Sequence, residues 1–233
     1  MILRVIHTIN PVPYSLAYKR QKHIHAERVA GVIPDTIWLL EHPPVITTGL
    51  RSNQVTNIHT NLCPQEIDII STERGGSITY HGPGQLVGYL FISMENRQFQ
   101  VKRFVQDIET GFITFLRKNY GIIAHHDDKY TGVWVGMDKI AAIGIALSQR
   151  VTLHGFAFNV NTDLSHFKWI IPCGITDKAR GVTSLEKLTG KRQDMSRIIL
   201  AVNHELRTAL GYESGDVLRE EAFYSMGTSK NQL

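Results

Sequence analysis

Residues 74–85 read Arg74-Gly75-Gly76-Ser77-Ile78-Thr79-Tyr80-His81-Gly82-Pro83-Gly84-Gln85 and lie between two strand-like runs. The four glycines allow a left-handed backbone or a close approach of the main chain, which normally has an entropic cost. The polar side chains among them supply hydrogen-bond donors around that backbone. The segment therefore predicts a turn that cradles a ligand, with a plain glycine-rich connection between strands as the alternative.

Three later motifs combine small residues with reactive ones. They are Lys139-Ile140-Ala141-Ala142-Ile143-Gly144, His154-Gly155-Phe156-Ala157-Phe158-Asn159-Val160-Asn161 and Ile171-Pro172-Cys173-Gly174. Taken in order with residues 74–85, they resemble the motifs of the lipoate-pathway octanoyltransferases, enzymes that move an octanoyl group from acyl carrier protein to a lysine of a lipoyl domain. The similarity runs from about Pro34 to Leu188, and four motifs in register are more specific than any one of them.

This resemblance implies the α+β fold of the biotin/lipoate protein ligase-like catalytic domains. It implies octanoyl-acyl carrier protein as the acyl donor. The implied acceptors are apo lipoyl domains, either of 2-oxoacid dehydrogenase complexes or of the glycine cleavage H protein. No cofactor is implied. The reaction would be the first step of protein lipoylation, with the acyl group carried on a cysteine as a thioester.

Composition predicts one soluble domain. The chain has 233 residues, of which 42% are hydrophobic and 20% charged, and no apolar run is long enough to span a bilayer. We expect one cytoplasmic catalytic domain over residues 1–233, with a core at about 34–211 and a tail at about 212–233. The net charge of +4 suits acidic partners, but clustered basic and aromatic residues are missing, so nucleic-acid binding is not expected.

Apolar spacing predicts two amphipathic helices, one from Val101 to a stop at Gly121 and one from Ile198 to a stop at Gly211. A polar-rich helix over residues 16–29 is expected at the surface. The β-rich runs are residues 36–41, 45–48, 133–135, 139–147 and 152–160. Short turns between the last three favour antiparallel pairing. The expected architecture is a mixed, largely antiparallel sheet with helices packed on one side.

Cys173 is the candidate nucleophile, because exchange between two thioesters needs a thiolate and no ATP. Pro172 fixes its own φ and extends the residue before it, while Gly174 relieves crowding after the thiol. A lone cysteine is more often a small buried hydrophobe, and this is the alternative. Cys63 precedes Pro64 in a polar loop, and we assign it no role.

Lys139 is the candidate acid/base. It opens an apolar strand, so its ammonium would be partly desolvated and able to exchange a proton with a neighbouring thiol. The alternative is a strand-edge lysine that reaches into water. In the family that the chain resembles, the lysine at this place pairs with the cysteine as a dyad, which favours the first interpretation.

The acyl chain needs an apolar slot, and in the family the backbone of three segments lines it. The corresponding residues here are Arg74, Gly75, Gly76, Ser77, Ile78, Thr79, Tyr80 and His81, then Ala142, Ile143 and Gly144, then Gly155, Phe156 and Ala157. Backbone N–H groups of residues 75–76 and 154–156 are candidates to hold the oxyanion of each tetrahedral intermediate. His81 and His154 either support that intermediate or brace loops. They predict no metal site, because no third ligand has a recognisable spacing.

Two positions depart from the family pattern. Many members have an asparagine where this chain has Ile171, and residues 127–132 lack the expected Pro-Gly. Three rival functions remain open: an ATP-dependent lipoate or biotin ligase, an octanoyl amidotransferase acting between lipoyl domains, and a silent carrier-binding module. A ligase would carry an additional glycine in the first motif and need no cysteine, and a silent module would not need both Lys139 and Cys173.

Overall fold

The computed structural model describes residues 2–51, 62–170 and 180–212, together with the backbone of 217–220. The strands are β1 (Leu3–Thr8), β2 (Asp35–Leu40), β3 (Val45–Thr48), β4 (Asp68–Ser71), β5 (Ile78–His81), β6 (Gln85–Phe91), β7 (His125–His126), β8 (Val133–Val135), β9 (Asp138–Ser148), β10 (Val151–Asn159), β11 (Gly181–Val182) and β12 (Val217–Glu220). The helices are α1 (Tyr14–Val29), α2 (Val101–Tyr120), α3 (Leu185–Thr189) and α4 (Met195–Ala209), with 3-10 turns at Glu95–Arg97 and Leu164–Trp169.

The strands form two sheets. The large sheet has the order β12-β1-β2-β6-β10-β9-β8-β7, with β11 attached to β9, and the small sheet has the order β4-β3-β5. From β2 to β7 the neighbours along the large sheet are antiparallel, whereas β1 is parallel to both β2 and β12. The expected mixed, largely antiparallel sheet of an α+β fold is therefore confirmed.

Helices cover both faces of the large sheet, so the expectation of helices on one side is wrong. Ile37 and Leu39 of β2 belong to the core cluster that contains α2 and α4, whereas Trp38 and Leu40 belong to the cluster under α1. Successive side chains of a strand point to opposite faces. An uninterrupted apolar strand therefore needs cover on both faces, and α1 supplies the second layer.

The two amphipathic helices lie where their apolar spacing predicts. In α2 the buried Phe104, Ile108, Phe112 and Phe115 recur every three or four residues and face the core. The helix ends at Gly121, whose φ of 65° suits a left-handed cap. Helix α4 begins after Asp194, whose carboxylate accepts hydrogen bonds from two backbone N–H groups of the first turn.

The small sheet positions the glycine-rich segment. Strands β3 and β5 pair antiparallel, with Thr48 opposite Ile78, and the N–H of Gly49 donates to the carbonyl of Ser77 at 2.6 Å. The turn at residues 74–76 is thereby held at the end of β3. Within the described ranges, no helix is long and apolar enough to cross a membrane.

Candidate active site

A cleft opens between the glycine-rich turn and the centre of the large sheet, with about 510 Å³ of empty space when the solvent at its mouth is counted. Thirteen residues named from the sequence line it: Arg74, Gly75, Gly76, Thr79, His81, Lys139, Ala142, Ile143, Gly144, His154, Gly155, Phe156 and Ala157. Three motifs that are distant in sequence thus meet around one space.

Three predicted lining residues do not reach the cleft. Ile78 and Tyr80 are buried in a separate cluster with Phe167 and Ile170. Because side chains alternate along β5, Thr79 and His81 take the cleft face and their neighbours take the other. Ser77 is buried in the strand-to-turn connection, where its carbonyl accepts from Gly49.

The glycine-rich turn packs directly on the backbone of β9. The N–H of Gly75 donates to the carbonyl of Ile145 at 3.2 Å, so this donor is already engaged. A Cβ on Gly144 would lie 2.8 Å from the carbonyl oxygen of Gly75, and Gly76 has a φ of 86°. Glycine is needed at position 144 because the two backbones approach closely, and at position 76 because the left-handed φ is strained for a residue with a Cβ.

Arg74 braces the turn. Its guanidinium donates to the carbonyl of Thr47 at 2.7 Å, to the hydroxyl of the same residue and to the carbonyl of Gly75 at 3.1 Å. The charge is therefore buried at the cleft wall with carbonyl partners around it. This arrangement fixes the turn to β3.

The first corner of the cleft, which we call the lysine corner, consists of Thr131, Gly132, Trp134 and Lys139. Lys139 is buried near the start of β9, with only 6% of its surface exposed. Its Nζ donates to the carbonyl of Thr131 at 2.9 Å and lies 4.8 Å from the ring centroid of Trp134. A cation is thus held in a desolvated place by a carbonyl and an aromatic face.

The second corner, which we call the aromatic corner, consists of Tyr14, His81 and Tyr89, which line the cleft, and His42, whose ring contacts all three. Burial lowers the pKa of His42 to about 4, so its ring is neutral at pH 7. Nδ1 of His42 lies 2.6 Å from the carbonyl of Val12 and must donate, which leaves Nε2 to accept from the hydroxyl of Tyr89 at 2.7 Å. The direction of the hydrogen bonds is therefore determined.

His81 is neutral for the same reason. Burial lowers its pKa to about 3, and the neighbouring His42 and Arg74 add to the effect. Its Nδ1 donates to Oε1 of Gln85 at 2.8 Å, and Nε2 accepts from the hydroxyl of Thr47 at 3.2 Å. Both ring nitrogens are engaged, so His81 braces the cleft wall.

His154 lies in β10 with a φ of 62°, a left-handed conformation that is strained outside glycine. Burial lowers its pKa to about 4, against the opposing effect of Glu73 at 3.5 Å. Its ring stacks on Tyr18 with centroids 6.1 Å apart. Burial would raise the pKa of Glu73, but hydrogen bonds from Lys22 and Tyr18 lower it to about 2.

Of the two cysteines, the described residues include Cys63 but not Cys173. Ile171, two residues before Cys173, also lies outside them. The chain after Cys173 is placed beside the lysine corner, because Val182 of β11 pairs with Lys139 and the N–H of Thr183 donates to the carbonyl of Lys139 at 3.0 Å. Cys63 packs against the Ile78 cluster, not at the cleft, and burial raises its pKa.

Four lining residues were not predicted: Tyr14, Val87, Tyr89 and Thr131. Tyr14 begins a helix whose polar composition suggested a surface position only. Tyr89 joins the cleft because β6 pairs with β10 and places it beside Gly155. Thr131 belongs to the loop at residues 127–132, which departs from the family pattern. Its carbonyl accepts from Lys139, and the sequence gives no signal for this contact.

Comparison with known proteins identifies close relatives of the chain. The lipoyl protein ligase A/B catalytic domain family matches residues 13–207. An octanoyltransferase of Caldicellulosiruptor saccharolyticus is 48% identical over 194 residues, which cover 82% of this chain and 82% of that protein. An octanoyltransferase of Caldicellulosiruptor bescii is 44% identical over 221 residues, which cover 94% of this chain and 96% of that protein.

Among solved structures, a lipoate-protein ligase A bound with ATP is similar, with a TM-score of 0.71 at 14% identity, covering 94% of this chain and 90% of that one. At this identity the similarity concerns the fold alone. It confirms the expected ligase-like α+β architecture. The match to the family extends further toward the N-terminus than the motifs did, and so includes α1.

Proposed function

The chain belongs to the lipoyl protein ligase A/B catalytic domain family and is an acyltransferase, and we propose that it moves an octanoyl group from octanoyl-acyl carrier protein to a lysine of apo lipoyl domains. We propose further that the octanoyl group passes through a thioester on Cys173. The relatives named octanoyltransferase support the acyl group, and the motif resemblance supports the donor and acceptor.

The buried lysine at the cleft is the observation that carries this proposal. Lys139 is held at one end of a space whose other walls include Ala142, Ile143, Phe156 and Ala157. Small and apolar side chains leave room for an alkyl chain and remove it from water. A proton-transferring group beside an apolar slot is the arrangement that acyl transfer needs.

Before the first half-reaction the proton of the Cys173 thiol has passed to Lys139, so that a thiolate lies beside an ammonium. The thiolate attacks the carbonyl carbon of the octanoyl thioester, and the tetrahedral oxyanion collapses with loss of the carrier's thiolate, which takes a proton back from Lys139. Octanoyl-Cys173 remains. Since one thioester is broken and one is formed, no nucleotide is consumed.

In the second half-reaction the amine of the acceptor lysine attacks octanoyl-Cys173. Lys139, now an amine, takes the proton that the acceptor nitrogen loses, the amide bond forms, and the thiolate of Cys173 leaves beside the ammonium of Lys139. Conversion of a thioester to an amide is downhill. The N–H of Gly76 remains a candidate donor to both oxyanions, whereas that of Gly75 is engaged with Ile145.

One incubation tests the intermediate. Octanoyl-acyl carrier protein alone should add the mass of one octanoyl group to the protein, removable by neutral hydroxylamine and located on the peptide with Cys173. Cys173→Ala should lose both adduct and transfer. Cys63→Ala is the matched control and should change neither, because Cys63 packs away from the cleft. An adduct on Cys63 would refute the assignment of the nucleophile.

The same mixture with an apo lipoyl domain distinguishes the rival functions. Transfer without nucleotide is expected. Octanoylation that appears only with ATP and free octanoate would identify a ligase. A strong preference for an octanoylated lipoyl domain over octanoyl-acyl carrier protein as donor would identify an amidotransferase.

A further inference from the structure

We propose that Glu109 is a positioning residue for Lys139, acting through a single peptide group. The carboxylate of Glu109 accepts from the N–H of Gly132, and the carbonyl of the same peptide bond, that of Thr131, accepts from Nζ of Lys139. A rigid planar group thus connects a buried carboxylate to the buried lysine. The catalytic consequence rests on the proposed function, whereas the geometry does not.

The distances define this connection. Oε1 of Glu109 lies 2.8 Å from the nitrogen of Gly132, and Nζ of Lys139 lies 2.9 Å from the oxygen of Thr131. Glu109 lies on α2 beside Ile108, which belongs to a hydrophobic core cluster, and is only 5% exposed. A buried carboxylate needs a partner to offset its desolvation, and the partner here is the peptide N–H.

Because Gly132 has no side chain, the Thr131–Gly132 peptide can lie close to Lys139. Its φ is 134°, and a Cβ there would lie 2.6 Å from the carbonyl oxygen of Ala141 and 3.1 Å from Cε of Lys139. The peptide therefore lies against the stem of the lysine as well as its ammonium. A glycine peptide of this kind can rotate easily, and the bond to Glu109 holds its carbonyl toward Lys139.

The electrostatic surroundings of Glu109 favour a Thr131–Gly132 peptide whose N–H points to the carboxylate and whose carbonyl points to Lys139. Burial raises the pKa of Glu109, while the Gly132 N–H and the nearby charges of His126 and Lys139 oppose that effect. Hydrogen bonds arranged in a chain polarise one another, so the carboxylate strengthens the Thr131 carbonyl as an acceptor. If the peptide rotated, Lys139 would face an N–H in place of a carbonyl and lose its position.

Three substitutions of Glu109 distinguish an effect of side-chain length from an effect of charge. Glu109→Gln keeps an oxygen at the right distance, Glu109→Asp keeps the charge but withdraws it by one methylene, and Glu109→Leu removes the acceptor. We expect the kcat of octanoyl transfer to fall about 10-fold to 100-fold in the Leu variant, as expected for a misplaced reacting group. The kcat of the Asp variant should fall by a smaller factor and that of the Gln variant by less than about 3-fold. KM should be unchanged in all three variants.

Amide hydrogen exchange at Gly132 gives a readout that needs no activity. Its exchange should be protected in the wild type and in Glu109→Gln, and faster in the Asp and Leu variants. Glu205→Leu is the matched control. Glu205 is a glutamate of similar burial on α4 that pairs with the half-exposed Lys118 of α2, so its loss should lower stability without changing kcat or exchange at Gly132.

The outcomes are distinct. Wild-type kcat and Gly132 protection in either the Leu or the Asp variant would overturn the inference. A Gln variant as slow as the Leu variant would also overturn it, because charge alone would then be the cause. A wild type that transfers no octanoyl group would refute the proposed function, while exchange at Gly132 would still test the connection from Glu109.

Discussion

The two corners of the cleft surround their titratable side chains with different partners. At the lysine corner a carbonyl and a ring face surround Nζ of Lys139. At the aromatic corner burial holds the pKa values of His42 and His81 low enough to keep both rings neutral, and the hydrogen bonds to Val12 and Gln85 oppose this effect only in part. The cleft therefore has one corner built around a basic side chain and one built from neutral rings.

In the proposed function this difference divides the cleft into a corner that carries the acid/base group, Lys139, and one that fixes shape. The hydrogen bonds of the aromatic corner run in one direction from Tyr89 through His42 to Val12. Substitutions at the two corners should therefore have separable effects, on the reaction at one and on stability at the other.

The largest effect is expected from Lys139→Ala. Loss of a general acid/base should lower single-turnover octanoyl transfer by about 10²-fold to 10⁴-fold. Lys139→Arg should be as slow, because a guanidinium does not give up its proton. Lys118→Ala, at a lysine paired with Glu205, is the control and should keep wild-type transfer. Near-normal turnover of either Lys139 variant would reduce the lysine to a structural residue.

Acid should destabilise the aromatic corner. The pKa of His42 in the folded protein is about 4, below its ordinary value of 6.5. The unfolded chain therefore binds the proton first, and stability present above pH 6.5 is lost as the pH falls toward 4, by up to about 3 kcal/mol for this group. His81 and His154 shift in the same direction and add to the loss.

Urea unfolding at pH 7 and pH 5 measures this loss. His42→Gln should reduce the difference between the two values, whereas His23→Gln, at an exposed ring, should leave it unchanged. The difference should also persist in Lys139→Ala if the corners are independent. Equal stability of the wild type at the two pH values would contradict the neutral histidines.

Tyr89→Phe should have a smaller effect on stability. Nε2 of His42 would lose its donor while remaining buried, at a cost of about 1–3 kcal/mol. Tyr120→Phe is the control, because the hydroxyl of Tyr120 is only part-buried where it donates to Gln193, and its loss should cost less. Thermal unfolding of both variants at pH 7 checks the order, and equal losses would mean that burial of the acceptor is unimportant.

The smallest effect is expected from Lys22→Met. Lys22 pairs with Glu73, but half of its side chain is exposed, so water and salt weaken the pair. The free energy of unfolding should change by less than about 1 kcal/mol, and the change should disappear in high salt. A larger, salt-independent loss would contradict this solvent-screened pair.

Sequence patterns predicted the elements that local spacing determines. The aromatic stripe of α2 and the quick succession of β8, β9 and β10 both follow from residues close together in the chain. The uninterrupted apolar run Ile37-Trp38-Leu39-Leu40 is typical of a strand buried on both faces, but the second helical layer was missed because the polar composition of α1 indicated a surface helix. The pairing of β12 with β1 joins residues from opposite ends of the chain and has no local signal.

The parts of the site that consist of sequence motifs were predictable. Residues 74–76, 142–144 and 155–157 meet at the cleft as expected. Tyr14 and Tyr89 were not predictable, because they reach the cleft through helix packing and strand register. The role of Cys173 stays a prediction, since it lies outside the described residues.

The position of β12 has a consequence for how the chain is made. Val5 of β1 is opposite Val217, so one edge of the large sheet joins a segment to another that is synthesised much later. During synthesis β1 offers an open edge that other chains can occupy. Closing it requires two segments far apart in sequence to meet, and contacts of such long separation form slowly. Truncation before residue 217 should leave this edge open permanently and favour aggregation of nascent chains.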